Sequence, residues 1–420
     1  MKILVLGSSA GTDFVCQQLL KDSKVEKVYH SGGYTIYEPT ERYVPLTLLG
    51  TLIHDVPVDL IEFLKTVDVD LVIPMTHYYQ FYEELRDIVN IKNIPTLMPS
   101  RANGMLEWSK IETKSLLNKL GIPTPNYQIF DKEKLLKNFF DISRPFVLKY
   151  EQDYRAGLQT SIINDENCKK YYEYLISPES QQYSQSKPQT DNQQFIVEEF
   201  LKGDCELSYH ALCNAQGWQY LGSARDYKKL YDGDVGVNTA GMGAYSPVQN
   251  VHPKIADYVD LILNYLKHKG DPFIGVLYVG IMMVGDTPYV LELNTRPGDP
   301  EIQPILKLVK NDLADIFYAA ATNKPIPKIE FSDTSAVSVR IVNKIYNLAI
   351  PNETTPFKSP DLWPLPGNIQ LTITNNRRLL NSILTAEAET IERASDIIYK
   401  FLKNKPMYKF RYRKDIGYLK

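Results

Sequence analysis

The sequence predicts an α/β and α+β multidomain protein, with a parallel α/β unit over residues 1–100, a central region over 101–330 and a small closing unit over 331–420. Three observations lead there. A chain of 420 residues is too long for one ordinary hydrophobic core and divides into several packed units. Residues 1–100 alternate short apolar runs with helix-patterned stretches, as parallel strands with crossover helices do. From residue 195 onward the apolar runs follow one another across turn residues, as in an antiparallel sheet.

Ile3-Leu4-Val5-Leu6-Gly7 is an apolar run ending in glycine, and Phe14, Val15, Leu19 and Leu20 follow at helical spacing. This opens the first unit as strand, turn and helix. Residues 25–29, 71–74 and 96–98 read as further strands. A helix over 109–120 stops at Gly121 and the breakers of Ile122-Pro123-Thr124-Pro125. Phe146-Val147-Leu148-Lys149 is a strand entering a polar loop with Gly157 and Thr160, and 181–194 is an apolar-poor surface loop. Strands are expected at 195–199, 206–213 and 218–223, then a helix over 251–269. Residues 278–283 and 289–293 form a hairpin around Val284-Gly285-Asp286-Thr287. The closing unit takes strands at 336–342 and 368–374 and a helix over 386–402.

Lys and Arg number 47 against 50 Asp and Glu, a formal charge of -3, which gives no global electrostatic reason to bind nucleic acid or an anionic membrane. Arg377-Arg378 and Lys403-Asn404-Lys405 read as solvated element ends. Cys16, Cys168, Cys205 and Cys213 are scattered, without a CxxC pair or nearby histidines. No disulfide framework or zinc site is expected, and a reducing compartment fits. The apolar run at the N-terminus is too short for a signal peptide, and no later stretch has the length of a membrane span, so a cytoplasmic protein is expected.

The most informative segment is Glu292-Leu293-Asn294-Thr295-Arg296. Side chains two apart on a strand share a face, so Glu292, Asn294 and Arg296 make one polar row on an otherwise apolar strand. Magnesium takes oxygen ligands, few of them from protein, which Glu292 and Asn294 supply; Arg296 suits a transferring phosphoryl group. The plain alternative is an exposed polar hairpin face. Lys149 at the mouth of a polar loop suits phosphate binding, or is a solvated strand end. Ile196-Val197-Glu198-Glu199-Phe200-Leu201 leads to Gly203 and Glu206, and offers backbone edges to a purine and a carboxylate to ribose, or simply connects two strands. The run from Arg225 to Pro247 holds four glycines and three aspartates without periodicity, which reads as a functional loop.

Together these pieces resemble the glycinamide ribonucleotide synthetase (phosphoribosylamine–glycine ligase) family of the ATP-grasp superfamily, over nearly the whole chain. The resemblance rests on Ser109-Lys110…Lys114, Gly121-Ile122-Pro123-Thr124, Lys149, Val197-Glu198-Glu199-Phe200-Leu201, and Asp226…Lys228 with Tyr231-Asp232-Gly233-Asp234. It continues in the specific runs Asn238–Pro247 and Gly298-Asp299-Pro300-Glu301, in Gly275–Gly280, in Glu292…Asn294…Arg296 and in Arg413-Lys414-Asp415-Ile416-Gly417.

The resemblance implies a pre-ATP-grasp N-terminal unit, an ATP-grasp core with a mobile lid over about 125–195, and a small C-terminal domain. It implies ATP and Mg²⁺ (or Mn²⁺) as cofactors. A small carboxylate, glycine in the family, attacks the γ-phosphate to give an acyl phosphate and ADP, and an amine then displaces phosphate. By the same resemblance Lys114 and Lys149 contact ATP, the backbone of Glu198, Glu199, Phe200 and Leu201 holds adenine, and Glu206 meets ribose. Glu292 and Asn294 bind the metal. Arg296, Asp226 and Lys228 serve the reacting groups. The partners implied are small molecules only, with a monomeric or homodimeric chain.

The chain departs from the family pattern in three places. The family's Arg-Glu-His turn reads Gly7-Ser8-Ser9-Ala10-Gly11-Thr12-Asp13, Pro-Gly-Asn reads Ser31-Gly32-Gly33, and Gly-Pro-Glu reads Pro74-Met75-Thr76 before His77. These turns face the acceptor in the family, and the missing Arg removes a bidentate phosphate clamp worth about 1.5–3 kcal/mol. The phosphate loop reads Ala156-Gly157-Leu158-Gln159 without its Lys, with Arg155 nearby, and the C-terminal turn reads Thr374-Asn375-Asn376-Arg377-Arg378. Three readings therefore stand: the purine-pathway ligase, a ligase of this scaffold joining an amino acid or other small carboxylate to a different amine, and a non-catalytic nucleotide-binding paralogue.

Overall fold

The computed structural model describes residues 1–31, 40–46, 59–152, 160–177, 194–344, 366–374, 381–405 and 410–418. The chain divides into two compact units: residues 1–104, 207–280 and 294–420 form the first, and 105–206 with 281–293 the second. Among the described residues no helix is long and apolar enough to cross a membrane.

The first unit opens with a parallel sheet in the order Tyr43–Pro45, Lys27–His30, Lys2–Leu6, Leu71–Pro74. Helix Ala10–Leu19 follows the first strand, and the Ser9 hydroxyl caps it by accepting the Thr12 N–H at 3.2 Å. The strand expected at 96–98 is reduced to one bridge between Val72 and Thr96. Pro95 and Pro99 bracket it and lack the N–H groups that would extend a ladder.

A larger sheet runs Thr287–Asn294, Gly275–Val284, Cys205–Asn214, Gly217–Asp226, Gly243–Ser246, Ser335–Asn343, Asn381–Ala388, Ile369–Thr374, with Phe410–Arg411 pairing Ser335–Asn343. Helix Ile302–Leu308 packs on it, with Ile302, Ile305 and Leu306 joining Phe14, Leu212, Leu221 and Phe317 in one buried core. Each such side chain contributes about 1.5–3 kcal/mol by leaving water.

Two elements correct the sequence reading. The run from Arg225 to Pro247 is not a loop: it holds the hairpin Lys229–Tyr231 and Val235–Asn238, then strand Gly243–Ser246. Strands of three or four residues are too short to show a period, and the tip needs positive φ at Gly233 (70°) and Asp234 (57°). Residues 386–388, expected to start a helix, end strand Asn381–Ala388, and the helix is Ile391–Lys403 with Thr390 as its cap. The helix-favouring Ala386-Glu387-Ala388 is overridden by pairing with the neighbouring strand, where Ser335 faces Ala388 and Val337 faces Ala386.

The C-terminal Arg413-Lys414-Asp415 run holds that hairpin tip. Fully buried Arg413 donates to Asp234 Oδ1 (2.8 Å), Asp415 Oδ2 (2.6 Å) and Lys229 O (3.1 Å), and Asp415 accepts the Gly233 N–H at 2.8 Å. Burial alone would raise the Asp415 carboxyl, but the hydrogen bonds from Arg413 and Gly233 hold it below the usual carboxylate range. Arg413→Met is expected to cost about 2–4 kcal/mol, because the partners of a buried cation lose their counter-charge. A thermal midpoint within error of wild type would refute this clamp.

The second unit carries an antiparallel sheet in the order Tyr127–Asp131, Gln194–Glu199, Phe146–Tyr150, Thr160–Ile163. Leu135, Phe139, Phe146, Leu148, Leu175 and Phe195 fill its core beneath helices Lys132–Asn138 and Cys168–Ile176. Helix Lys110–Lys119 begins where Ser109 accepts the Glu112 N–H at 3.2 Å and ends before Gly121, whose φ is +66°. The phosphate loop at 153–159, most of the loop at 181–194, Gly32-Gly33 and Asn375–Arg378 lie outside the described residues.

Candidate active site

Strand register in the second unit brings three sequence-distant charges together. Lys149 faces Ile196 and Val147 faces Glu198 across antiparallel strands, so Lys149 and Glu198 are diagonal neighbours on one face. Lys114 reaches the same carboxylate from helix Lys110–Lys119. Lys114 Nζ lies 2.9 Å from Glu198 Oε1 and Lys149 Nζ 2.9 Å from Oε2, with all three side chains at most 7% exposed. Lys114 also donates to Thr124 Oγ1 at 2.7 Å, and Lys149 to Leu291 O at 3.1 Å. Burial and the neighbouring Lys149 charge push the Lys114 ammonium down to about 8, against the pull of Glu198. Two cations on one carboxylate leave a buried excess of positive charge, which suits a polyanion.

Glu199 ends the strand, and beyond it the chain leaves the sheet. Glu199 turns outward, where its carboxylate accepts the Asn126 N–H at 2.8 Å. Phe200 is 38% exposed and Leu201 half-buried. Gly203 runs tightly over Met282, and the Asp204 N–H donates to Met283 O at 2.8 Å. Glu206 is half-buried in strand Cys205–Asn214. Strand Thr287–Asn294 carries Glu292 and Asn294 half-buried and two residues apart, with buried Leu293 pointing the other way. This pair of oxygen donors fits a hard cation that takes most of its ligands from phosphate and water.

In the first unit Asp226, Lys228 and Arg296 converge on a fourth residue, Glu301. Its carboxyl is 4% exposed, and burial and the Asp226 charge push it up to about 8, with Lys228 and Arg296 pulling the other way. A side chain in the turn before it would crowd this carboxyl: a Cβ on Gly298 would sit 2.7 Å from the Glu301 carboxyl carbon, which would have to move. The Lys228 segment is pinned by Thr239, which donates to Lys228 O through its N–H (2.7 Å) and hydroxyl (2.8 Å).

Three supports took their meaning only from the structure. Gln80 donates to Thr295 Oγ1 (2.8 Å) and O (3.2 Å), fixing the residue between Asn294 and Arg296. His210 Nε2 accepts the Gly298 N–H at 3.2 Å, and burial and Arg296 hold the imidazole down to about 3, so it stays neutral. Asp299 links Arg340 (3.0 Å) to Gln303 (2.9 Å) and the Gly11 N–H (3.3 Å). These partners lie far apart in the chain, Gln80 and Thr295 by 215 residues, and only the folded sheets bring them together. Glu301 had a signal, its place in Gly298-Asp299-Pro300-Glu301.

The altered N-terminal turn is well bonded. Ser9 Oγ lies 3.2 Å from Thr12 Oγ1, and the Gly7 carbonyl accepts from His30 Nε2 at 3.1 Å. His30 Nδ1 therefore accepts from Tyr43 Oη at 2.9 Å, and burial holds this histidine down to about 4. His77, after the third altered turn, is buried with its ring 4.1 Å from that of Tyr78.

Residues 108–302 match the phosphoribosylglycinamide synthetase ATP-grasp (A) domain. A phosphoribosylamine–glycine ligase of Streptococcus pneumoniae serotype 4 is 29% identical, with 99% of each chain covered. That of Rhizobium meliloti is 28% identical, covering all of this chain and 98% of its own. Among solved structures, the Thermotoga maritima phosphoribosylamine–glycine ligase superposes with a TM-score of 0.73 at 23% identity, covering 99% of this chain and all of the other. A biotin carboxylase domain from Hydrogenobacter thermophilus, solved with MgADP, reaches 0.66 at 15% identity, covering 98% and 91%. Residues 108–302 thus match an ATP-grasp domain model of phosphoribosylglycinamide synthetase, and the whole chain is similar in sequence to phosphoribosylamine–glycine ligases and in fold to one of them.

Proposed function

We propose that this protein is an ADP-forming ligase that joins glycine to phosphoribosylamine in de novo purine synthesis. The observation that carries the reading is the convergence of Asp226, Lys228 and Arg296 on Glu301, in a chain that matches such ligases end to end. Nothing in packing requires four charged groups at that place, whereas a reaction that moves phosphate and protons does.

The second unit takes the nucleotide. Lys114 and Lys149 hold phosphates of ATP, the backbone from Glu198 to Leu201 lies along adenine, Glu206 meets ribose, and the region over about 125–195 acts as lid. Glu292 and Asn294 would hold magnesium, which would supply positive charge against the phosphates of ATP. Arg296 steadies the glycine carboxylate as it attacks the γ-phosphoryl group, and Asp226 and Lys228 shape the acceptor side. Without the family's Arg, the acceptor phosphate falls to hydroxyls and amides of the Ser8–Thr12 turn, at a helix N-terminus.

The test is ADP release from Mg-ATP, glycine and freshly generated phosphoribosylamine, with each omitted in turn. Release that requires all three is expected; ATP binding without release would move the acceptor to another amine, and no ATP binding would favour a non-catalytic paralogue. Gly298→Ala is expected to displace the Glu301 carboxyl and to lower turnover about a hundredfold, the scale of a 1 Å misplacement. Wild-type turnover in that variant would refute the tight turn as a functional feature.

A further inference from the structure

We infer that Glu301 is the proton acceptor of the amide-forming step. This rests on the ligase reading and adds a residue to it. Glu301 lies at the start of helix Ile302–Leu308, and its carboxyl folds back under Gly298, where an added Cβ would crowd it. The charged groups that act on it are Asp226 and Lys228 at the end of one strand and Arg296 just past the end of another. Asp226 and Glu301 together balance the two cations, and of the four groups only Glu301 is fully buried. A carboxyl buried there is held in a mixed field in which it can take up and give back a proton.

The chemistry needs such a group. The lone pair of the amine nitrogen forms the new N–C bond at the acyl phosphate, and the C–O bond to phosphate breaks with its electrons leaving on phosphate. The nitrogen then carries one proton too many, and that proton passes to the Glu301 carboxylate and on to water. Burial and Asp226 raise this carboxyl to about 8, so the ionised base is scarce at neutral pH and grows as pH rises. The amide-forming step is therefore expected to accelerate through the region around pH 8 and level off above it.

The experiment separates the two half-reactions. Acyl phosphate is trapped as glycine hydroxamate with hydroxylamine, and glycinamide ribonucleotide is measured with phosphoribosylamine. Glu301→Gln is expected to slow the amide step at least about a hundredfold, to erase its rise with pH, and to reduce hydroxamate far less. Glu301→Asp should recover part of the rate and the pH dependence. Equal losses in both assays with an unaltered pH profile would make Glu301 a structural counter-charge and overturn the inference. Should Glu301→Gln fail to fold, a wild-type amide step that is flat between pH 6.5 and 9 overturns it equally. Wild-type protein that makes hydroxamate but no amide would instead refute the acceptor reading, and the wild-type control shows that before any variant is scored.

Discussion

Glu198→Ala is expected to destabilise the second unit by about 3–5 kcal/mol at pH 7, the usual effect of removing one partner from a buried ion pair. Its carboxylate is 2.9 Å from both Lys114 and Lys149, and each cation is nearly inaccessible to water. Without Glu198 each ammonium keeps one neutral partner, Thr124 for Lys114 and the Leu291 carbonyl for Lys149, too little to hold a buried charge. The effect has a pH signature. Lys114 is already pushed down to about 8, while an unfolded lysine titrates near 10.4. Between those values the unfolded chain binds more protons than the folded one, so stability rises with pH. In the variant Lys114 titrates lower still, and the relief should begin below pH 8. Thermal unfolding at pH 7 and pH 9 tests this: a loss that is small, or the same at both, would refute the buried triad as described. ATP should also stabilise the wild type, since its phosphates answer the same excess charge.

Glu292→Ala is expected to abolish ADP formation, a loss of at least about a thousandfold, while leaving the unfolding midpoint close to wild type. Glu292 is half-buried near the end of its strand, whose fully buried side chains include Val290 and Leu293, so the fold is expected to survive its loss. Its value lies in an oxygen donor two residues from Asn294. Because the variant keeps Lys114, Lys149 and Glu198, it should still bind ATP in the absence of metal about as well as wild type. Unchanged turnover would sink the metal assignment; a collapsed fold would show that Glu292 has a structural role.

Much of the fold was legible because the relevant signals are local. Ser109 and Gly121 mark both ends of their helix, and Gly285-Asp286 marks its hairpin tip. The parallel order of the first sheet follows from strands separated by helices. What the sequence did not reveal depended on partners elsewhere in the chain. Residues 386–388 have helical propensity and become strand because a neighbouring strand pairs with them. The short strands after Asp226 carry no period of their own, and Arg413, some 180 residues later, holds their tip.

The candidate site divides in the same way. Glu292 and Asn294 share one strand and its alternation, so their grouping could be read directly from the order of residues, whereas Arg296, expected on the same row, lies past the strand's end at Asn294. Lys114, Lys149 and Glu198 could each be named, but not their mutual ion pairs, which depend on strand register and helix placement. Glu301, Gln80, His210 and Arg340 gained their meaning only from what lies against them: a glycine turn, a threonine, an amide and an aspartate. By itself the sequence determined the mixed α/β fold class and the resemblance to ATP-grasp ligases, and it named candidate residues for their chemistry, because residue type and short spacing suffice for these. Tertiary structure alone decided which charges meet, how deeply they are buried and so which protons they hold, because desolvation and Coulomb interactions depend on distances that no linear pattern records.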